Sequence, residues 1–409
     1  MTSRHATYRI IVCLLLVFSG VGYGAAQNAT SSPSSRFGYG ELNDNIPGTF
    51  RAMGGVSTGM RSRLAINPSQ PASYTGCDSL AFMMDVAGSV MWTNYSDKNG
   101  RKNKANGNLE YLMLQFPIWK RYIAFSAGVM PYSCMGYDFA LDGSAGGHSY
   151  TVSYYGEGNV AQAYGGLSFN LFDWVAVGGN FYYMFGSLEN ITALTFTDAS
   201  LLSSLMYRSM SVSSWRGRYG LQVFHTFKQK HNIVLGAIFE SKLPFKNTYV
   251  QYELNTLDSV LVTDRGFELP MVWSVGVSYT YDRRLVIAFD YTQTRWSEVN
   301  YFGGTEVLRN RNKFALGVEY RHNPIARNYA ERMRWRVGAS MVDPYSVDTK
   351  GKDFTVSMGI GFPLRTSATM FNATIEFTRR NTFLDLKENV LKLTINAAIN
   401  ETWFMKRKL

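Results

Sequence analysis

The chain has 409 residues, a formal net charge of +11 and an aromatic content of 15%, with 26 Tyr and 26 Phe. Its mean hydropathy is −0.14, and no mature stretch approaches the roughly twenty consecutive apolar residues of a membrane helix, which excludes a helical membrane protein. The positive charge is spread along the chain, with no block beyond Lys406 to Lys408 and no aromatic–basic motif, which argues against nucleic-acid binding.

The N-terminus is typical of a secretory signal. A basic start is followed by a short apolar run over residues 10–18, and the small residues Gly24 and Ala26 stand at the two positions that signal peptidase recognises. We predict that residues 1–26 are a signal peptide cleaved after Ala26. The apolar run is too short for the alternative, a membrane anchor.

The next segment, residues 27–79, lacks a regular period. Its second part, residues 52–74, mixes small and apolar residues and contains Pro68 and Pro71. Proline cannot donate a ladder hydrogen bond, so this part is not a central strand. We predict a compact, irregular N-terminal segment with a short helical turn, and we expect residues 50–74 to lie inside the lumen of the barrel described below.

From Leu80 onward, short segments alternate between apolar and polar residues, which is the period of a β-strand. In residues 389–400, Leu391, Leu393 and Ile395 share one face, whereas Lys392 and Thr394 share the other. The pattern predicts fourteen strands, at 80–92, 108–118, 121–137, 150–171, 174–188, 214–228, 231–243, 269–281, 284–297, 311–322, 333–342, 353–363, 368–380 and 389–404.

The links between these strands differ in length in a regular way. Four are two-residue turns, beginning at Trp119, Phe172, Gln229 and Asp282, and most intervening links are long. Short turns at one end and long loops at the other are typical of an outer-membrane barrel, with the short turns in the periplasm. We therefore predict an all-β fold, a transmembrane antiparallel barrel over residues 80–409 in the outer membrane of a Gram-negative cell, with both termini periplasmic.

Charged residues within the strands fall on the polar face, which we assign to the lumen because a charge facing lipid near the bilayer midplane costs a few kcal/mol. We expect them to form arginine–carboxylate pairs that brace the wall, and a role in ligand binding is the alternative. These residues are Arg216, Arg218, Asp290, Glu319, Arg321, Arg334, Arg336 and Glu376.

No catalytic constellation is found, so we expect no enzyme activity, cofactor or metal. The run Gly55-Val56-Ser57-Thr58-Gly59 has the spacing of a nucleophile elbow but lacks the flanking strand and helix that an elbow needs. The four mature histidines, His148, His225, His231 and His322, have no metal-ligand spacing. Cys77 and Cys134 could form one disulfide or remain free thiols.

A small-residue segment ends in Asn67-Pro68-Ser69-Gln70-Pro71-Ala72. This run resembles a stretched form of the Asn-Pro-Ala signature of the FadL/TodX family of outer-membrane transporters. Glu268-Leu269-Pro270 and the run 291–297 are similar to the family's later strands, and Glu401-Thr402-Trp403-Phe404 resembles relatives in the Bacteroidetes. The resemblance implies a fourteen-stranded barrel whose N-terminal segment folds inside as a hatch, with Asn67, Pro68, Pro71 and Ala72 as the hatch motif.

The resemblance also implies passive uptake of hydrophobic molecules, such as long-chain fatty acids or aromatic hydrocarbons, without a cofactor. Apolar loop candidates for ligand contact are residues 191–196 and 201–206. Relatives of the fold also serve in type IX protein secretion, so a barrel that binds a partner protein is the alternative function. We expect a monomer that contacts outer-membrane lipids and lipopolysaccharide.

The third strand carries a signal for an opening in the wall. Pro131 cannot donate to the ladder, and Gly128 and Gly136 flank it. A closed barrel has no edge, so an unpaired site here must open the wall or be satisfied from inside. The resembled family bends its third strand to make a lateral opening, and a structural bulge is the alternative. We expect Pro131→Val to restore pairing and to slow ligand uptake.

Overall fold

The computed structural model describes residues 30–96, 100–198, 200–254, 260–263, 266–301, 308–323, 326–347, 351–364, 369–381 and 386–402. The expected signal peptide and the closing aromatics Trp403 and Phe404 lie outside these residues. None of the helices among them is long and apolar enough to cross a membrane.

The described residues contain two short helices and a large set of strands. The helices are α1 (Gly48–Arg51) and α2 (Tyr329–Arg332), with 3-10 turns at Pro33–Arg36, Pro71–Gly76 and Trp296–Glu298. The strands are β1 (Glu41–Leu42), β2 (Ala81–Ser96), β3 (Arg101–Trp119), β4 (Ile123–Ala145), β5 (His148–Phe172), β6 (Val175–Phe196), β7 (Ser204–Phe227), β8 (His231–Glu240), β9 (Leu243–Pro244), β10 (Asn247–Leu254), β11 (Val260–Thr263), β12 (Glu268–Leu269), β13 (Val272–Tyr281), β14 (Leu285–Thr294), β15 (Arg311–Tyr320), β16 (Arg334–Val342), β17 (Asp353–Pro363), β18 (Met370–Asn381) and β19 (Lys387–Thr402).

Fourteen of these strands, β2–β8 and β13–β19, form a closed antiparallel barrel. β19 pairs with β2 to close the ring, and β8 pairs with β13 across the long link that holds β9–β12. This confirms the predicted fold class, an all-β barrel with the N-terminal segment inside. The agreement follows from the strand period, because each wall strand has one face toward lipid and one toward the lumen.

The alternation along single strands places apolar residues outward. In β17, Phe354, Val356 and Met358 are more than half exposed, while Ser357 between them is buried. In β19, Leu391 and Ile395 point outward and Thr394 points inward. The exposed residues of all the strands together form the apolar band that a membrane barrel presents to lipid.

Strand length differs around the barrel. β13–β18 have 9 to 12 residues, close to the nine to eleven that cross a bilayer. β4–β7 have 22 to 25 residues and continue well beyond that height. The prediction of long loops at 138–149 and 189–213 was therefore wrong, because those residues are mostly strand. Only Gly146 and Gly147, both with positive φ, turn the chain between β4 and β5.

The short turns lie at the opposite end of the barrel. Lys120, Lys228, Gln229, Asp282 and Arg283 have φ between 46° and 60°, the left-handed conformation that tight hairpin turns require. The long link at 322–332 contains α2, whose first turn is capped by Asn328.

Candidate functional site: hatch, notch and cavity

Residues 44–77, which we call the hatch, fill the lumen. Phe50, Met53 and Tyr74 are almost completely buried. Asn67 Nδ2 donates to the carbonyl oxygens of Ser57 and Met60 at 2.8 and 3.2 Å. The stretched motif therefore ties two parts of the hatch together through a buried side chain.

The rest of the motif fastens the hatch to β5 and β6. The Pro68 carbonyl accepts hydrogen bonds from Asn180 Nδ2 at 2.9 Å and from the Tyr182 hydroxyl at 3.1 Å. Pro71 begins a 3-10 turn, and the Ala72 carbonyl accepts from Ser168 Oγ at 3.1 Å. Because these acceptors are backbone atoms, the bonds fix the course of the hatch chain.

Asp290 anchors the hatch through three backbone amides. Its carboxylate accepts backbone hydrogen bonds from Ser57 at 2.5 Å, from Thr58 at 2.7 Å and from Gly59 at 3.2 Å. Three amides converging on one anion form a nest, and charge-assisted bonds of this kind are about twice as strong as neutral ones. The elbow-like run 55–59 is thus part of a carboxylate-binding turn, and Ser57 uses its amide there.

A belt of wall glycines lets the hatch backbone lie directly against the strands. A Cβ added at Gly338 would lie 2.0 Å from the Gly54 nitrogen, and one at Gly236 would lie 1.9 Å from the Thr58 carbonyl oxygen. Distances this short are impossible for a real side chain, so these positions accept only glycine without movement of the hatch. The belt consists of Gly178, Gly220, Gly236, Gly276, Gly317, Gly338 and Gly359.

The chain before the hatch closes the end of the barrel that is opposite the short turns. Tyr39 is fully buried and its hydroxyl donates to the Glu268 carbonyl at 2.9 Å. Its ring packs against Phe245 and Trp296 with centroids 5.2 and 5.5 Å away. The hydroxyl of Tyr345 donates to the Phe37 carbonyl at 3.0 Å. The protein's own N-terminal segment therefore occupies this mouth.

Two ion-pair clusters brace the wall, and they contain most of the charges expected in the lumen. Arg216 and Arg218 both pair with Glu240, which is almost fully buried. Arg334 and Arg336 each lie 2.6 Å from Glu319. The remaining arginine, Arg321, lies at the short-turn end, where it donates to the Arg283 carbonyl.

A third cluster connects the hatch to the wall. Arg51 lies 2.7 Å from Glu110, which also pairs with Lys392 at 2.7 Å, and 3.7 Å from Glu376. Nearby, Asp44 pairs with Arg311 at 2.8 Å and with Lys313 at 2.7 Å. Burial alone would raise the pKa of Asp44, but these two cations outweigh it and hold that pKa well below its usual range.

The wall is open between β3 and β4. Their pairing runs from Trp119–Ile123 only as far as Leu112–Val129, although both strands continue. We call the opening beyond this last pair the notch. A bulge lies at Pro131 and Ser133 in the pairing of β4 with β5.

The lumen side of the notch is covered in part by the N-terminal segment. β1 pairs with β4 at Cys134 and Ser133. The Asn43 amide donates to the Tyr132 carbonyl at 2.8 Å. The Gly136 amide donates to Ser35 Oγ at 3.1 Å. Backbone groups of β4 that lose β3 as a partner are therefore satisfied from inside the barrel.

Two glycines continue the bend of β4 into its neighbours. Gly158 in β5 has φ +124° and Gly186 in β6 has φ +138°. In the register, Gly158 is opposite Met135 of β4, and Gly186 is opposite Val160 of β5. A side chain is strained at these φ values, and an added Cβ would lie within 2.2 Å of a neighbouring carbonyl oxygen at either position. The upper parts of β4, β5 and β6 therefore bend together, away from β3.

A cavity of about 840 Å³ extends from the third ion-pair cluster to the notch. Apolar residues, including Leu109, Leu112, Val129 and Pro131, line its opening at the wall. Glu157 and Glu189 also line it and stand directly opposite each other on β5 and β6. The cavity thus changes from apolar at the wall to charged in the interior.

Sequence reasoning missed several residues of this site. Glu240 lies near a predicted strand end, and Asp44 and Glu110 lie in segments read as irregular or near a strand start, so their facing was not assigned. Gly158 and Gly186 lie within the predicted strands 150–171 and 174–188, and no role was assigned to them. Their distance from Pro131 across the sheet could have indicated a shared bend, but that distance is known only when the register of β4, β5 and β6 is known.

The remaining chemical features carry no further site. Cys77 and Cys134 are free thiols. Within the part of the chain that the structure describes, no group of three His, Cys, Asp or Glu residues could hold a metal ion. The apolar runs 191–196 and 201–206 lie on β6 and around the start of β7.

The closed barrel, the internal hatch and the notch define a FadL-type fold. Solved structures share it at low sequence identity: a Pseudomonas aeruginosa FadL homologue (TM-score 0.59, 14% identity, covering 89% of this chain and 99% of that one) and the Pseudomonas putida toluene transporter TodX (TM-score 0.59, 14%, 88% and 99%). The Ralstonia pickettii toluene transporter TbuX is similar as well (TM-score 0.57, 15%, 88% and 98%). The BamG family model matches residues 7–409, so the chain belongs to the BamG family. No curated protein sequence is significantly similar to it.

Proposed function

We propose that the protein is an outer-membrane channel that passes small hydrophobic molecules between its internal cavity and the bilayer through the notch. The notch carries this proposal, because it joins an 840 Å³ cavity to the lipid-facing side of the wall. The hatch blocks a straight path through the lumen, and a hydrophobic molecule is already soluble in the bilayer that the notch faces.

The electrostatics of the notch favour a neutral hydrophobic ligand. Glu157 and Glu189 lie side by side on β5 and β6 in the lining of the cavity that the notch opens, and neither has an ion-pair partner among the residues described. A fatty-acid carboxylate would meet two like charges there and would bind less well than an aromatic hydrocarbon. Of the two ligand classes that the FadL/TodX resemblance implies, we therefore infer aromatic hydrocarbons.

Filling the notch tests this route. Ala161 lines the cavity at the notch, and Ala163 lies two residues further along β5 outside the lining. We expect Ala161→Trp to slow uptake of radiolabelled toluene severalfold in cells, and Ala163→Trp to leave it unchanged. Radiolabelled oleate should enter more slowly than toluene through the unmodified protein. Equal toluene uptake by both tryptophan variants would exclude the lateral route.

This variant is a better test than Pro131→Val. The bend at the notch involves β5 and β6 as well as β4, and β1 already occupies part of the free edge of β4. Replacing Pro131 alone would therefore leave two glycine bends in place, and we no longer expect it to restore pairing with β3.

A second candidate function is a barrel that binds a partner protein. The observation that favours it is the occupied mouth, where Tyr39 and its aromatic neighbours fill the space that an incoming ligand would cross. A protein of this kind would use its outer surface, and uptake of toluene would then be no faster with the protein than without it.

The proposed location is the outer membrane, with the short turns and the end of β19 in the periplasm. The first described residues lie at the opposite mouth, where Ser32 donates to Glu388, so the expectation of a periplasmic N-terminus is not kept. Mature protein should fractionate with outer membranes and should show a heat-modifiable gel shift, as folded barrels do. Recovery from the soluble periplasm would contradict the location and both candidate functions.

A further inference from the structure

β4–β7 and the loop strand β10 form a sheet that projects beyond the membrane. Ile191 stands about 17 residues along β6 from the short turn at Trp174, which is roughly 40 Å of height for a strand tilted by about 45°. The apolar band of a membrane barrel is only about 25 Å tall. The rows of this sheet beyond the bend at Gly158 and Gly186 therefore lie outside the hydrocarbon region.

The two faces of the projecting sheet differ. Its inner face holds Tyr137, Leu188, Met210 and Tyr249, all buried in the aromatic cluster around Tyr39. Its outer face has no covering element among the described residues. In an antiparallel sheet, a face without cover is normally polar, with few large apolar groups.

The outer face instead carries a row of aromatic and aliphatic side chains. Tyr155 is opposite Ile191, Ile191 is opposite Tyr207, and Tyr207 is opposite Tyr252, so one row crosses β5, β6, β7 and β10. Tyr207 and Tyr252 stack with ring centroids 6.2 Å apart. Tyrosine supplies large contact area at low entropic cost and is enriched at protein interfaces.

Acidic residues flank this row. Asp138 of β4 extends the tyrosine row, because it is opposite Tyr155 of β5. Glu157 of β5 and Glu189 of β6 are opposite each other, two residues closer to the membrane than Tyr155 and Ile191. Asp142 lies further out on β4 and accepts a hydrogen bond from Thr151 at 2.7 Å. The outward positions of the described sheet include no Lys, Arg or His. The face therefore has a net negative charge on a protein whose overall charge is +11.

We propose that this outer face, the tyrosine row with its flanking acids, is a docking surface for another protein with a basic face. This inference rests on the second candidate function and is independent of uptake. The charge excludes the other occupants: lipopolysaccharide phosphates and a second copy of the same acidic face would both be repelled. Five strands about 4.8 Å apart and about 30 Å tall give on the order of 600 Å², close to one side of a standard interface.

Photo-crosslinking in the native membrane tests the proposal. A photoreactive p-benzoylphenylalanine in place of Tyr207 should give an adduct with one other protein. The matched control is the same residue in place of Val337, which points outward from the short strand β16, and it should give no protein adduct.

The decisive readout is the dependence on charge. We expect the double variant Glu157→Lys, Glu189→Lys to lower the Tyr207 adduct yield at least about tenfold, since opposed like charges cost several kcal/mol. The milder Glu157→Gln, Glu189→Gln should lower it less, and Asp173→Lys in a short turn should not change it. The heat-modifiable gel shift identifies variants that fold.

Three results would overturn the proposal. The first is an adduct of the Tyr207 probe with lipopolysaccharide or with a second copy of the protein, and the second is an adduct yield no higher than that of the Val337 probe. The third is an unchanged adduct yield in a folded charge-reversal variant.

Because Glu157 and Glu189 also line the cavity, the comparison with transport uses Asp138→Lys, which lies opposite Tyr155 and outside the cavity lining. A Tyr207 adduct lost in folded Asp138→Lys with unchanged toluene uptake, or the reverse, separates the docking surface from the transport route.

Discussion

The wall of β13–β17 and the upper part of β3–β6, beyond the last pair of β3 with β4, differ in how they meet the chain inside the barrel. Against β13–β17, glycines bring the wall into backbone contact with the hatch, and Asp290 holds three hatch amides. Against β3–β6, glycines with positive φ bend the wall, and the ladder between β3 and β4 stops. The same residue type thus seals one side and opens the other, depending on whether its missing side chain makes room or its backbone freedom makes a bend.

The largest expected effect is a loss of the backbone contact between the hatch and the wall glycines of β13–β17. Gly338→Ala places a methyl group 2.0 Å from the Gly54 nitrogen, a backbone atom that cannot rotate away. We expect it to displace the hatch and to lower the free energy of unfolding by about 3 kcal/mol or more. Denaturant titration of the heat-modifiable gel shift measures this loss.

The matched control is Gly165→Ala, because a Cβ there meets nothing within 4 Å. Its effect should stay within about 0.5 kcal/mol. Equal stability of the two variants would show that the hatch does not lie against β16 as described.

The next largest effect distinguishes Asp290, which holds the hatch, from Glu319, which braces the wall. Asp290→Asn keeps the shape but removes the charge that accepts three amides, and each hydrogen bond to a charged group contributes about 1.5–3 kcal/mol. We expect the hatch to loosen and the outer membrane to leak polar antibiotics, which growth inhibition by vancomycin measures.

Glu319→Gln is the comparison variant. It breaks the buried pairs with Arg334 and Arg336, which touch the wall but not the hatch. Removing the charge of one partner in a buried pair is destabilising, but the glutamine keeps one acceptor oxygen for the arginines, so the barrel should lose less stability than in Gly338→Ala. Leakage at the level of Asp290→Asn would mean that neither residue is specific to the hatch.

The smallest expected effect concerns the bend of β6 beside the notch. Gly186→Ala puts a side chain at φ +138° with its Cβ 2.1 Å from the Asn159 carbonyl oxygen. We expect β6 to straighten, the notch to narrow and toluene uptake to fall, with a loss of about 1–3 kcal/mol in stability.

Gly179→Ala in the same strand is the control, since its nearest neighbour would be 3.7 Å away. It should leave both uptake and stability at their original values. If Gly186→Ala also leaves uptake unchanged while lowering stability, the bend shapes the wall without gating a ligand.

The sequence by itself determined the strands of the barrel and the order of their turns. Alternation such as Phe354, Val356, Met358 against Ser357 is a local property, because a strand between lipid and lumen must change polarity at every residue. The same local logic places Asp282 and Arg283 in a tight turn. It also marks residues 50–74 as too irregular and too rich in small residues for a wall strand.

Only the tertiary structure showed the register of the strands and the contacts between the hatch and the wall. The register places Pro131, Gly158 and Gly186 on neighbouring strands within a few rows of one another, and register depends on contacts between residues far apart in the chain. The pairing of Asp290 with the amides of residues 57–59 joins positions more than 200 residues apart. The length of β4–β7 could not be predicted from the sequence either. Beyond the membrane no lipid requires one face of a strand to be apolar, so the residues there lack the alternation that marks a strand and resemble a loop.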